Sequence, residues 1–226
     1  MWTGYFSGVM LLRAPGVYRP QADTWLLIGA LRGAAIPEGA RVLDVGTGTG
    51  ALSVAAVRAG AAEVTAVDVS AAAVLSARLN ARLRRLPVRV HRGSAPDVVA
   101  GRRFDVILAN PPYVPGRWPP RGAARAWDAG LDGRELLDPL CDAAFDLLYP
   151  GGVLLVVHSE LCGVDSTLWR LRANGLKAAV VARRIEPFGP VLWSKVDYLE
   201  GHGLIEPGQR HEELVVIRGD RPDPNR

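Results

Sequence analysis

The chain has 226 residues, 49% hydrophobic and 22% charged, enough for one globular domain with a buried core. A formal net charge of +4, carried by arginine apart from Lys177 and Lys195, is mild and favours a solubility role over a nucleic-acid surface. Cys141 and Cys162 alone exclude a disulfide framework, have no metal-ligand spacing and fit a reducing, cytoplasmic setting; no apolar run approaches the about 18 residues a membrane span needs.

Met1–Leu12 is apolar and aromatic but lacks the basic front and long core of a signal peptide. Residues 1–15 read as an N-terminal arm, and Met10 leaves open an extended start for the first nine. A helix is predicted over Gln21–Arg32, with Trp25, Leu26, Leu27, Ile28 and Leu31 on its buried side. Arg41–Val45 reads as the first strand, Ala51–Ala59 as a helix and Glu63–Val67 as the second strand. Ser70 is placed to cap a helix over Ala71–Arg84, its hydroxyl accepting an otherwise unpaired amide. Val88–His91 and Phe104–Ala109 are the next strands. A helix over Arg134–Leu148 is expected to stop at Pro150-Gly151-Gly152. Val153–His158 is apolar enough to be buried on both faces.

A helix over Val164–Ala173, ended by Asn174-Gly175, precedes two final strands, Ala178–Arg183 and Leu214–Ile217, expected to pair antiparallel. Glu186–Arg210 has no readable pattern. The alternation predicts an α/β fold with a mainly parallel seven-stranded sheet covered by helices on both faces. It occupies one domain over 16–219, followed by a flexible tail over 220–226.

Two turns carry chemistry. Asp44-Val45-Gly46-Thr47-Gly48-Thr49-Gly50 follows the first strand, and its glycines let backbone amides approach a ligand at the following helix. The pattern also fits a dinucleotide fingerprint ending at Ala51. Asp44, however, would repel a pyrophosphate and can face an ammonium, and Asp68, with Val69 beside it, ends the next strand where a carboxylate can take ribose hydroxyls. That order of groups, ammonium then ribose, matches S-adenosylmethionine. Ser94 and Ala95 stand where the adenine amino group would be met, with Asp97 a substitute.

The second turn is Asn110-Pro111-Pro112-Tyr113, directly after the fourth strand. An amide or exocyclic amine nitrogen is a poor nucleophile because its lone pair is delocalised. The Asn110 side-chain oxygen and the Pro111 carbonyl can accept both N–H hydrogens and leave the lone pair out of plane. Pro111 and Pro112 stiffen the backbone, and Tyr113 can lie against the planar group. The two turns together are the layout of an N-methyltransferase.

On these motifs, and on Val17–Thr24 and Ala126–Arg134, the chain resembles the class I, Rossmann-like methyltransferases that modify the glutamine of release-factor Gly-Gly-Gln loops. The likeness runs from Gly16 to Ile217 and is nearest the short form without a separate recognition domain. It implies S-adenosylmethionine as cofactor, Thr24 as a cofactor contact alongside Asp44, Gly46, Thr47, Gly48, Gly50, Asp68 and Asn110, and a release factor as protein substrate. Short relatives in some lineages work with a small zinc-binding activator subunit, so such a partner stays open. Ser94 departs from the family's acidic residue, and Glu186–Arg210 is longer than the short form has.

The same tetrapeptide serves enzymes acting on adenine, so an RNA or DNA adenine is the second acceptor and a small-molecule amine the third. Arg117, Arg121 and Arg125 could meet a phosphate or an acidic protein surface, or be solvated. Trp118 and Trp127 could line a substrate groove or pack beneath the loop. The histidines and Cys162 read as structural or exposed.

Overall fold

The computed structural model describes residues 2–6, 9–116 and 126–224. An antiparallel hairpin, β1 (Trp2–Phe6) and β2 (Val9–Arg13), precedes α1 (Ala22–Gly33). There follow β3 (Arg41–Val45), α2 (Ala51–Arg58), β4 (Glu63–Asp68), α3 (Ala71–Leu83), β5 (Val88–Arg92), the short α4 (Ala95–Val98) and β6 (Phe104–Ala109). The C-terminal half adds α5 (Leu137–Leu147), β7 (Leu148–Ser159), a 3-10 turn at Glu160–Cys162, α6 (Val164–Ala173) and β8 (Lys177–Pro187). Two short helices, α7 (Pro190–Trp193) and α8 (Val196–Gly201), lead into β9 (His211–Asp220). No helix among the described residues is long and apolar enough to cross a membrane.

The large sheet has the order β5-β4-β3-β6-β7-β9-β8; β9 runs antiparallel to both its neighbours and the other pairs are parallel. Apolar strand residues alternate between two cores, as the two-residue period of a strand demands. Val42, Val106, Leu108, Leu155 and Val216 pack with Leu27, Leu31 and Leu52 of α1 and α2. Leu43, Ile107, Leu154, Val156 and Ile217 pack on the opposite face with Leu137, Leu140 and Leu171 of α5 and α6. From β3 the chain winds outward to β4 and β5, and from β6 to β7 on the other side. The β3–β6 pair is therefore the point where strand order reverses, and a crevice opens beyond its carboxyl ends. Val45 pairs with Ala109 there, so the turns that follow these strands start side by side.

Three stretches differ from the sequence pattern. The helix predicted over Arg134–Leu148 begins at Leu137, because Glu135 N–H bonds back to the Ala129 carbonyl (3.0 Å) and the chain before it stays folded on the preceding turn. That helix does end at Leu147, just ahead of Pro150-Gly151-Gly152, but the triplet is not a loop. It lies inside β7, where the pairing with β6 shifts register between Phe104 and Val106. Gly151 takes φ +79°, and a Cβ on Gly152 would lie 2.9 Å from the Tyr149 carbonyl oxygen and 3.1 Å from those of Phe104 and Asp105. Glu186–Arg210, unreadable by period, holds α7 and α8 around a third core of Val114, Phe188, Leu192, Val196, Leu199 and Ile205.

The hairpin is tied down through buried Asn80 of α3. Its Oδ1 accepts from Leu12 N–H (2.8 Å), and its Nδ2 donates to the Leu12 carbonyl (2.8 Å) and to the Thr49 carbonyl of the glycine turn (2.9 Å). Beyond β9, Arg221 lies over the Phe145 ring at 4.1 Å and donates to the Leu148 carbonyl at 2.8 Å.

Since Gly152 has backbone oxygens on three sides, Gly152→Ala should destabilise the protein by about 1–3 kcal/mol through overpacking. The expected readout is a lower urea midpoint at unchanged m-value.

Candidate functional site

The glycine turn sits at the end of β3 in a conformation side chains resist. Gly46, Gly48 and Gly50 have φ of +70°, +54° and +82°. Gly46 and Thr47 N–H both bond to the Val67 carbonyl (2.9 and 3.1 Å), folding the turn onto β4. A Cβ on Gly50 would stand 3.4 Å from Ala77, so the missing side chain lets the start of α2 press against α3.

Asp44 is fully buried. Its Oδ2 accepts from the hydroxyls of Thr47 (2.7 Å) and Ser53 (2.5 Å), whereas its Oδ1 is buried without a hydrogen-bond partner among the described residues. Burial pushes its carboxyl up to about 6, against the pull of the Ser53 and Thr47 hydroxyls. An anionic oxygen left unpaired in the interior costs free energy that a cationic ligand would recover. The Thr49 hydroxyl is likewise buried and unpaired in the same turn.

Asp68 closes β4. Its Oδ2 accepts from Gly48 N–H and its Oδ1 from Ser70 N–H, each at 2.9 Å. Burial raises its carboxyl and those two amides oppose the rise. The carboxylate is thereby fixed in orientation, with lone pairs left over for hydroxyl donors. Val69 beside it exposes 66% of its surface, an apolar face next to the crevice. Ser94 Oγ caps α4, with Asp97 N–H 3.4 Å away, and lies 2.5 Å from Asp97 Oδ2. Its hydroxyl hydrogen is thus committed to Asp97, and Ala95 follows it as the first residue of α4.

The clamp follows β6. The Asn110 Nδ2 donates to Thr24 Oγ1 (3.2 Å), and Thr24 Oγ1 donates to Asp23 Oδ1 (3.0 Å). A hydroxyl has one hydrogen, so Thr24, having given it to a carboxylate, can only accept from Asn110. That fixes which end of the Asn110 amide faces Thr24 and turns Oδ1 away from it. Pro111 is buried, and Pro112 and Tyr113 are half-buried. The Tyr113 carbonyl accepts from Cys162 Sγ (2.8 Å), and a Cβ on Gly133 (φ +75°) would collide with that carbonyl. Clamp and glycine turn meet: a Cβ on Gly46 would lie 3.9 Å from the Asn110 carbonyl oxygen.

Beneath the clamp lies Asp23, a residue of the Val17–Thr24 stretch to which the sequence pattern assigns no role. It is buried, and its Oδ2 accepts from the hydroxyls of Tyr18 (2.8 Å) and Tyr113 (3.2 Å). Burial and the Asp23 charge hold both phenols well above their ordinary range. Glu212 of β9 was also missed. Its Oε2 is buried with no hydrogen-bond partner among the described residues, and burial with the Glu160 and Asp23 carboxylates pushes its carboxyl up to about 7. An acidic residue beside the apolar run of a final strand was the available signal.

Trp127 packs on the third core, Cys162 is buried in the second, and buried His158 is pushed down to about 4 by desolvation. Arg117, Trp118, Arg121 and Arg125 lie outside the described residues. No cluster of three or more histidine, cysteine or acidic groups suited to a metal occurs among the described residues.

A protein-family model described as the methyltransferase small domain matches residues 9–183. A relative from Methanocaldococcus jannaschii, provisionally named a protein N5-glutamine methyltransferase, is 35% identical over 185 residues, covering 80% of this chain and 92% of the relative. A release factor glutamine methyltransferase of Deinococcus radiodurans is 43% identical over 162 residues, covering 67% of this chain and 57% of the relative. This chain therefore spans little more than half the length of that bacterial relative. Among solved structures, a chain of the E. cuniculi Mtq2-Trm112 complex, described as responsible for methylation of the eRF1 translation termination factor, aligns with a TM-score of 0.64. Its identity is 24%, and the match covers 91% of this chain and 99% of that one. The T. thermophilus 16S rRNA N2 G1207 methyltransferase, solved with AdoMet and guanosine, aligns with a TM-score of 0.60 at 20% identity, covering 97% of this chain and 50% of that one. These two likenesses concern the fold. The family model and the Methanocaldococcus jannaschii relative identify the chain: it belongs to the methyltransferase small domain family and, within it, to the protein N5-glutamine methyltransferases.

Proposed function

We propose that the chain transfers a methyl group from S-adenosylmethionine to the side-chain amide of a glutamine in the Gly-Gly-Gln loop of a peptide-chain release factor. The observation that carries the reading is the pairing of two strand ends at the reversal of strand order, one leading to the oriented Asn110 amide and the other carrying Asp44 with its buried oxygen unpaired among the described residues. The names of the archaeal and bacterial relatives support glutamine as acceptor. A small activator subunit belongs to the same proposal, supported by the two-protein E. cuniculi complex.

The residues fit the cofactor. Asp44 Oδ1 suits the ammonium, Asp68 the ribose hydroxyls, Val69 a face of the adenine, and the glycine turn leaves room for a close backbone approach. When bound, S-adenosylmethionine supplies an electrophilic methyl group. Asn110 Oδ1 and the Pro111 carbonyl accept the two amide hydrogens of the glutamine and hold its nitrogen with the lone pair out of plane. The prolines limit the ordering entropy lost on binding, and the Tyr113 ring lies along the amide plane. No side-chain base is required, because positioning and fixed dipoles carry the step and the proton can leave afterwards.

Incubation with labelled S-adenosylmethionine and a purified release factor should give a methylated glutamine, located by mass spectrometry, while RNA and DNA stay unlabelled. Asn110→Ala should lose about 10²–10³-fold in kcat, as removal of a fixed polar contact at a reacting centre does, with cofactor binding kept. Labelling of nucleic acid alone, or full activity in the variant, would refute the assignment.

Asp44 predicts a pH dependence. Its folded value of about 6 lies above the ordinary 3.8, so the ligand-free fold favours the neutral acid and loses that stability as pH rises from 3.8 through 6. A cationic ligand needs the carboxylate, so its affinity is full above 6 and should fall roughly tenfold per pH unit below it. Calorimetric titration should show this in the native protein; Asp44→Asn should bind weakly at every pH, without the slope.

A further inference from the structure

Lys195 occupies an unusual place for one of only two lysines in a chain whose other 25 basic residues are arginine. It joins α7 to α8 in the stretch the sequence pattern left unread. Its Nζ donates to Asp128 Oδ1 (2.5 Å) and to the Pro115 carbonyl (3.0 Å), and the two side chains are only 17% and 11% exposed. Both targets belong to the chain leaving the clamp. Val114 N–H bonds to the Trp127 carbonyl (2.8 Å), Ala129 N–H to the Val114 carbonyl (3.0 Å) and Gly116 N–H to the Gly130 carbonyl (2.8 Å). Residues 114–116 and 127–130 thus form a two-stranded strip that begins one residue after Tyr113.

The 188–205 stretch grips this strip at two levels. Its core takes in Val114 and packs against Tyr113 and Trp127, while Lys195 pins the polar edge. The fit explains the lysine. A Cβ on Gly116 would collide with Nζ and lie 3.1 Å from Asp128 Oδ2, so the ammonium rests directly on the glycine backbone. A planar guanidinium is broader than an ammonium, so arginine is not an equivalent residue here. Among the described residues both bonds of Nζ go to the strip that follows the clamp, so its influence falls on the acceptor side.

We propose that Lys195, with Asp128, is a positioning pair that sets the clamp for its polypeptide acceptor, and that the 188–205 helices form the acceptor-side wall of the site. The pair touches neither substrate nor cofactor; it acts through the strip that carries Tyr113. The inference rests on the protein-acceptor reading above.

The test is steady-state methylation of a release factor, with acceptor and S-adenosylmethionine varied separately. Lys195→Met should raise the acceptor KM by about tenfold or more, since small displacements at a reacting centre are costly, with cofactor Kd within about twofold of wild type. Gly116→Ala keeps the lysine, and Gly116 is not at positive φ, so its backbone tolerates alanine. It should produce the same split by pushing Nζ aside, which covers the case that Lys195→Met folds poorly. The double variant Lys195→Met/Asp128→Asn should be no worse than the poorer single one, as expected for partners in one contact. An unchanged acceptor KM in the folded variants, or cofactor affinity falling in step with it, overturns the proposal. Failure of wild type to label the release factor overturns the functional reading and this proposal together, and is seen before any substitution.

Discussion

The site depends on one hydrogen-bond chain, from Asn110 Nδ2 to Thr24 Oγ1 to Asp23 Oδ1. An asparagine amide can be turned either way round, and only one orientation presents an oxygen to an incoming N–H. Asp23 decides the matter from the first turn of α1. By taking the Thr24 hydrogen it converts that hydroxyl into an acceptor, and Asn110 must then turn its NH2 inward. The same carboxylate receives the Tyr113 hydroxyl, so both ends of the clamp are referred to a single buried charge. A buried carboxylate with this many donors is well compensated, whereas loss of any one donor leaves an unpaired polar group.

The sheet sets the distance between the two turns. Pairing of Val45 with Ala109 starts the glycine turn and the clamp side by side, and left-handed glycines keep the first turn low enough for the two to meet. The reversal of strand order keeps helices from covering the crevice. Asp44 sits just inside that opening, held by Thr47 and Ser53 with one oxygen to spare. The protein carries the cost of that unpaired oxygen in the ligand-free state, as sites organised ahead of binding do.

Much of this is legible in the sequence because the signals are local. Gly46, Gly48 and Gly50 mark the turn, Ser70 does cap α3, with Ala73 N–H at 3.3 Å, and apolar runs mark strands buried on both faces. What escaped depends on pairing across the fold. Pro150-Gly151-Gly152 marks the end of α5 as read, but the register shift against β6 also makes it the bulged entry of β7. Glu186–Arg210 lacks a helical period because α7 and α8 are too short to express one, and their core exists only against Val114. Asp23 and Glu212 look like surface acids until the sheet brings β9 beside α1. Polar groups buried by tertiary contact leave little trace in local pattern.

In the proposed mechanism the Asn110 oxygen and the Pro111 carbonyl hold the acceptor amide while Thr24 fixes the asparagine. A crystal structure with S-adenosylhomocysteine and a Gly-Gly-Gln peptide would show whether they do. The glutamine nitrogen should lie within hydrogen-bond distance of both oxygens, with Asn110 Nδ2 still on Thr24. A glutamine bound elsewhere, or an Asn110 amide turned to donate to it, would rule out that mode of holding the acceptor.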